Sequence, residues 1–505
     1  MERNDRFLRI AQDLQPRVFT TQVQVRQTVE FSQGEDGAVI ARPARDYRTQ
    51  ALKKGDTLCL DFGRHMVGRV TLRLNYTGTH PDAPAWLRLK FAERPCELFE
   101  NAEDYRGWIS TGWIQQEQLH VDVIPAVLQL PRRYAFRYLQ IEVLDVSSKY
   151  ALTVEDALCA ATTSADYTRL QPYTGPDSQL DAIACNTLAE CMQEVFEDGP
   201  KRDRRLWIGD LRLQALASYE TFRNHDLVKR CLYLFAGSTL PGGRIGACVF
   251  TEPEIEVDDT AMFDYSLLFI PTLLDYWKAT GDMDTLKDLW PTAWQQLMLA
   301  QERFDSEGLV QDSDVLGWCF TDWNLGLNKQ ASAQGVYLYC MKAAAELAGF
   351  LGTQEQNDWL AKDYAIKKRA AQKLWDETAG FYVSGENKQI SWASQVWMVL
   401  GGAVDARQGK ALLERLESND RAEKMVTPYM YHNYVDALMQ IGEEEKALNI
   451  LGSYWGGMVK EGADTFWELY NPANPQESPY GGTIVNSYCH AWSCAPAYFL
   501  RRYFV

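Results

Sequence analysis

The chain has no basic run longer than a few residues, and 68 acidic against 51 basic residues leave a net charge of −17. A nucleic-acid or anionic-membrane surface needs a basic patch, so composition argues against both partners. No stretch of about 18 apolar residues occurs, which argues against a transmembrane helix. The N-terminus, MERNDRFLRIAQDLQ, lacks the apolar centre of a signal peptide. Eleven cysteines are scattered without a CxxC pair, the nearest spacings being Cys185/Cys191 and Cys489/Cys494. Such an odd, dispersed set predicts no disulfide framework and a reducing, cytoplasmic location. The six histidines form no HxxxH or HExxH. The acids Glu256, Asp258 and Asp259 lack the spacing of a calcium loop. No metal and no other cofactor is therefore expected.

What the chain does have is length, and two successive patterns. At 505 residues it exceeds one ordinary core, so two or more domains are predicted. The first third alternates polar and apolar residues with period two. Examples are Gln22–Val29, Thr57–Phe62, Gly68–Leu74, Trp86–Phe91, Gln118–Val123 and Tyr138–Val143. These predict a half-buried antiparallel sheet, in a β-sandwich or jelly roll over residues 1–165.

From about residue 175 the period becomes helical. Pro176-Asp177-Ser178 signals a cap for a helix over Leu180–Phe196. Further helices are predicted at Leu211–Phe222, Leu227–Phe235, Asp259–Thr280, Met283–Phe304, Gln330–Leu351 and Gln354–Trp375. More follow at Ile390–Gly401, Arg407–Leu416, Pro428–Ile441, Glu443–Leu451 and Ser487–Tyr503. About a dozen helices without intervening strands exclude a βαβ fold. Six hairpins closed into a ring, an (α/α)6 toroid over residues 166–505, account for the count. No repeat of fixed length supports a solenoid. A toroid offers a cleft at one end of its inner helices.

Chemistry concentrates in Glu197–Asp210, EDGPKRDRRLWIGD, where Asp198, Asp203 and Asp210 alternate with Lys201, Arg202, Arg204 and Arg205. Gly199-Pro200 must break the preceding helix, and Asp210 is placed to cap the next one. A solvated charged turn is the plain reading. The apolar Leu206-Trp207-Ile208-Gly209 argues instead for a loop lining a cleft. A second segment, Thr465-Phe466-Trp467-Glu468, sets a carboxylate among aromatics, where desolvation raises its pKa unless cations restore it. A third, Ser487-Tyr488-Cys489-His490, opens the last predicted helix. Asp258-Asp259 and Asp264-Tyr265 are either helix caps or sugar-hydroxyl acceptors, and Asp322-Trp323 is a similar polar–aromatic pair at a helix edge. The 16 tryptophans are mostly core material, yet such an excess also fits a protein that stacks on sugar rings.

Taken together these segments resemble glycoside hydrolase family 78, the bacterial α-L-rhamnosidases. DGPKRDRRLWIGD matches the family's acid-bearing loop, TFWE its second carboxylate motif, and SYCH a motif some twenty residues on. Leu60–Gly68, LDFGRHMVG, looks like its upstream β-domain motif. The resemblance spans residues 55 to 495 with the motifs in family order. It implies inverting hydrolysis of terminal α-L-rhamnose from small rhamnosides. Asp203 would be general acid and Glu468 general base. Asp198 and Asp210 would hold rhamnose hydroxyls, and Arg202, Trp207 and His490 would line the pocket. Phe263, Asp264, Trp323 and Trp467 are further wall candidates. Many members carry Glu where this chain has Asp203, one methylene shorter. The last helix runs nearly to Val505, so a C-terminal β-domain common in the family is expected to be absent, and a homodimer is expected. Two other readings stay open: a toroid enzyme on another sugar, as hydrolase or epimerase, and a non-catalytic sugar-binding relative. An epimerase would need paired histidine bases, and His490 stands alone among the motifs.

Overall fold

The computed structural model describes residues 1–34, 39–311 and 318–505. An antiparallel sheet of nine strands occupies the first third. Its organising strand is Thr57–Gly78, 22 residues long. The first part, Thr57–Asp61, pairs with Tyr138–Glu142, and the second, Gly68–Gly78, pairs with Tyr150–Ala161. A bulge between Asp61 and Met66, where Gly63 adopts φ 85°, interrupts the first pairing, which resumes at Met66–Gly68 against Phe136–Tyr134. Only glycine takes that conformation at little cost, and the bulge bends the strand. The enclosed core contains Leu58, Leu60, Leu72, Leu74, Leu87, Ile141 and Leu152.

Helices fill the rest. Ile208–Glu220, Phe263–Thr280, Gln330–Leu351, Trp392–Leu400, Pro428–Gln440 and Ala495–Tyr503 pack each on the next, and the last packs on the first. An outer helix precedes each: Ser178–Cys191, His225–Gly237, Met283–Ala300, Gln354–Ala371, Ala406–Glu417 and Glu444–Lys460, the last interrupted by a π-turn. This is the predicted ring of six hairpins. The inner helices are apolar on most sides because both neighbours and the outer layer bury them. Among the described residues, no helix is long and apolar enough to cross a membrane.

Several predicted boundaries shift, and the shifts lie at the ring's open end. The helix predicted to Phe196 stops at Cys191, and the one predicted from Ser487 starts at Ala495, with Pro496 in its first turn. Asp210 is not a cap: the helix begins at Ile208 with Trp207 at the N-cap, and Asp210 lies inside its first turn. Residues 1–14 were grouped with the sheet, yet they pack on the helices. Asn4 N–H donates to the Gly237 carbonyl (2.9 Å), and Phe7 meets Tyr233 edge-on.

The sheet and the ring are joined by buried charge. Asp61, in the bulge, takes two bonds from Arg137, which also reaches Asp464 (3.2 Å) on the ring. The amide of His65 donates to the same Asp464 (2.9 Å). Beside it, Lys201 is almost wholly buried, paired with Glu97 and bonded to the Asn486 carbonyl (2.8 Å).

Inner helices Gln330–Leu351 and Trp392–Leu400 approach so closely that a Cβ on Gly335 would lie 2.5 Å from the Trp397 carbonyl carbon. Backbone cannot yield there as a side-chain tip can. Gly335→Ala is expected to destabilise by about 2 kcal/mol through overpacking. Scanning calorimetry checks it, and an unchanged thermal midpoint would show that the helices have slack.

Candidate active site

The three motif segments meet at the open end of the ring because their backbones cross-link. His490 N–H donates to the Phe466 carbonyl (2.9 Å), Ala491 N–H to Asp198 (3.0 Å), and Glu468 N–H to Ser487 (3.0 Å). Trp492 Nε1 donates to the Glu468 carbonyl (3.0 Å). These bonds explain why the expected helix at Ser487 does not form: its backbone groups are committed elsewhere.

Within the loop from Asp198 to Trp207, successive side chains diverge. Lys201 goes to the sheet. Arg202 binds Glu468 through Nη2, lies 3.5 Å from Asp203 through Nη1, and stacks over Tyr480 at 4.1 Å. Arg204 reaches the Arg133 carbonyl (2.9 Å), and Arg205 lies over Phe250 at 4.4 Å. Of the loop's three arginines, only Arg202 lies within ion-pairing distance of Asp203. Asp203 and Arg204 have φ of 64° and 53°. Two successive non-glycine residues in the left-handed region cost on the order of 1–3 kcal/mol each and persist only where surroundings impose them. Here the Arg204 amide is fixed by the carbonyls of Arg202 (2.9 Å) and Gly199 (3.3 Å).

A cavity of about 200 Å³ opens between these segments. It is lined by Asp198, Arg202, Asp203, Trp207, Asp210, Trp323, Glu468 and His490, all proposed from sequence. It also takes Trp108 and Ile109 from the sheet unit, with Arg205, Met262, Tyr265, Trp318, Phe320, Tyr480 and Trp492. Three proposed residues are not in its wall. Asp264 is buried and accepts the amides of Phe320 (3.0 Å) and Thr321 (2.9 Å), so it shapes the wall from behind. Phe263 packs on Phe304, and Trp467 lies under Arg94 at 4.0 Å. Tyr480 and Trp492 were legible as neighbours of the motifs. Trp108 was not, since nothing local ties it to a residue about 370 positions on.

The carboxylates differ in character. Burial raises Glu468, but Arg202, His490 and Tyr480 outweigh it and hold the group below the usual carboxylate range. Burial, together with Asp203 and Asp210, pushes Asp198 well above that range. Asp210 is also raised by burial, though His490 Nε2 lies 3.0 Å away and pulls the other way. The site thus pairs an ionised carboxylate with others that favour a proton, as acid–base chemistry requires. Trp207 Nε1 and Trp323 Nε1 are buried with no protein partner. Buried donors of this kind suit ligand oxygens.

Behind the loop, Glu93 joins Lys201 to its surroundings. It accepts the Tyr488 amide (2.7 Å) and contacts His65 (3.0 Å). Burial pushes Glu97 up to about 7 against the pull of Lys201. Removing the lysine leaves two buried carboxyls unmatched unless they take up protons. Lys201→Met is therefore expected to cost about 3–5 kcal/mol near pH 8, and less near pH 5 where Glu97 is protonated. Denaturation at both pH values checks this, and an equal loss would show that the pair carries no charge.

Residues 25–161 match the family model described as the glycosyl hydrolase family 78 alpha-rhamnosidase N-terminal domain. Residues 178–504 match the bacterial alpha-L-rhamnosidase 6 hairpin glycosidase domain. The structure is similar to a rhamnosidase from Klebsiella oxytoca with rhamnose bound, 46% identical, covering 100% of this chain and 99% of that one with a TM-score of 0.96. A family 78 rhamnosidase of Bacillus sp. GL1 shares the fold at 21% identity and a TM-score of 0.77, over 92% of this chain and 49% of that one. Among curated proteins, N,N'-diacetylchitobiose phosphorylase of Vibrio furnissii is 25% identical over 201 residues, 35% of this chain. The match spans only 24% of that relative's length.

Proposed function

The chain belongs to glycoside hydrolase family 78 as an α-L-rhamnosidase, and from that premise we propose that it releases terminal α-L-rhamnose from small rhamnosides with inversion, Asp203 as general acid and Glu468 as general base. A water attacks the anomeric carbon and gives its proton to Glu468. The glycosidic bond breaks and its oxygen takes the proton of Asp203. The products are β-L-rhamnose and the free alcohol.

The observation that carries this reading is the Arg202 guanidinium set between the two carboxyls at the cavity. It touches each carboxyl through a different nitrogen, which brings the two together at one cavity, as an inverting pair requires. It also stabilises the ionised form of Glu468, which a base needs. Asp198, whose pKa burial and the neighbouring carboxyls raise, offers one polar hold on a sugar hydroxyl, and the Asp210–His490 pair offers a second. Met262, Tyr265 and Phe320 supply an apolar wall suited to the methyl group of a 6-deoxy sugar. Asp203 stands in the cavity wall on a left-handed turn, which supports this role despite the shorter side chain. Eleven free thiols fit a cytoplasmic location. A homodimer belongs to the same proposal, supported by exposed Trp86 and Val123 beside the edge strand Gln116–Val121. Sedimentation that shows only monomer at micromolar concentration would discard the dimer.

The two roles separate by leaving group. Glu468→Gln is expected to lower kcat by about 10²–10⁴ on every rhamnoside. Asp203→Asn should lose as much on methyl α-L-rhamnoside but far less on p-nitrophenyl α-L-rhamnoside, whose nitrophenolate leaves without a proton. Similar losses on both substrates for Asp203→Asn would remove it as the acid. Proton NMR of the first product should show the β anomer. Because Glu468 must be ionised and its pKa is depressed, kcat/KM is lost only as pH falls below the ordinary glutamate value of about 4.3. An acidic limb above that value would assign the base elsewhere.

A further inference from the structure

We infer that the leaving-group side of this site is built for an acidic sugar, so that the substrate is a rhamnose joined to a hexuronate. The inference rests on Asp203 as the acid. A general acid stands between the sugar being released and the group that departs. Two cavities meet at Asp203 in this structure. One is the cavity that also holds Glu468; the other, about 660 Å³, lies at the joint between sheet and ring. Only Asp203 and Arg205 line both.

The second cavity's charge runs against the character of the chain. In a protein with a net charge of −17, its wall carries five guanidinium groups, and apart from Asp203 only three carboxylates. Glu197 is already neutralised by Arg133 (2.7 Å). Arg132 pairs with Glu117, which stands behind the wall (2.7 Å). Arg69, Arg204 and Arg205 have no carboxylate within ion-pairing distance among the described residues; Arg69 and Arg204 bond only to carbonyl oxygens. The Arg204 Nε is buried without a partner. Burial first, then the neighbouring Arg133 and Arg132, bring Arg204 down to about 10 even though Glu197 pulls the other way. Of the remaining acids, Glu252 is exposed, and Glu194 meets Arg230, outside this wall, through its backbone carbonyl (2.9 Å). A planar carboxylate is the group that a guanidinium fork binds best. Trp113 and Phe250 give the same space flat apolar faces on which a pyranose can rest.

The test compares an α-L-rhamnosyl hexuronate with the methyl ester of the same disaccharide. The expected kcat/KM for the acid exceeds that for the ester by about tenfold at low salt, and the preference shrinks as salt screens it. Arg69→Gln and Arg204→Gln should each lower the acid-to-ester ratio several-fold. The ratio reports on charge recognition even if Arg204→Gln disturbs the loop, since the ester suffers the same disturbance. Equal rates on acid and ester, or a ratio unmoved in both variants, overturn the inference. So does inorganic phosphate that inhibits both substrates equally, since it would give the arginines to a free anion. Loss of the reading beneath it is distinguishable: that requires Asp203→Asn to leave turnover of the neutral ester intact.

Discussion

A lysine ammonium with almost no access to water is the constraint on which this protein turns. Lys201 sits between the sheet and the ring, with Glu97 and Glu93 on one side and the Asn486 carbonyl on the other. A buried charge is tolerated only when its partners are fixed. The partners come from both units, so neither can drift without exposing the other's cost. Arg202 and Asp203 are the next two residues. Their strained turn is therefore anchored from the sheet side, and the backbone of Tyr488 is tied into the same group through Glu93.

The division of labour between regular and irregular structure follows. Helices supply rigidity and closure, and the polar atoms that meet in the cavity come mostly from segments between them. Such segments can end on a ring only if their backbone groups find partners. Here they find each other, in the crossed bonds among residues 198, 466–468 and 487–491. One arginine then does two jobs: it holds Glu468 in its ionised form and contacts Asp203 as well.

Much of this was legible in the chain itself. Period-two segments located the central strands, and helical periodicity gave nearly all twelve ring helices, since both signals are local. Gln330–Leu351 was bounded correctly because its neighbours, Lys329 and Gly352, end a clean pattern. The losses have physical causes. Tyr150–Thr163 was missed as a strand because it is covered along much of its length and shows little alternation. Ser487–Cys494 reads as helix because nothing in it records that its amides belong to distant carbonyls. Asp264 and Asp322 read in the sequence as either caps or sugar contacts. Both bind backbone amides, Asp322 that of Val426 (3.0 Å), and a lone sequence cannot tell a wall from its buttress.

Trp108 and Ile109 carry a consequence of another kind. They belong to the sheet unit, yet they close one side of the cavity, with the indole N–H of Trp108 bonded to the Pro479 carbonyl (2.8 Å). The unit next to the catalytic ring is thus a wall of the chamber rather than an appendage. Modularity in such an arrangement is only apparent. A ring grafted onto a different sheet would keep its carboxylates but lose the anchor of the loop that carries them, and it would have a different door.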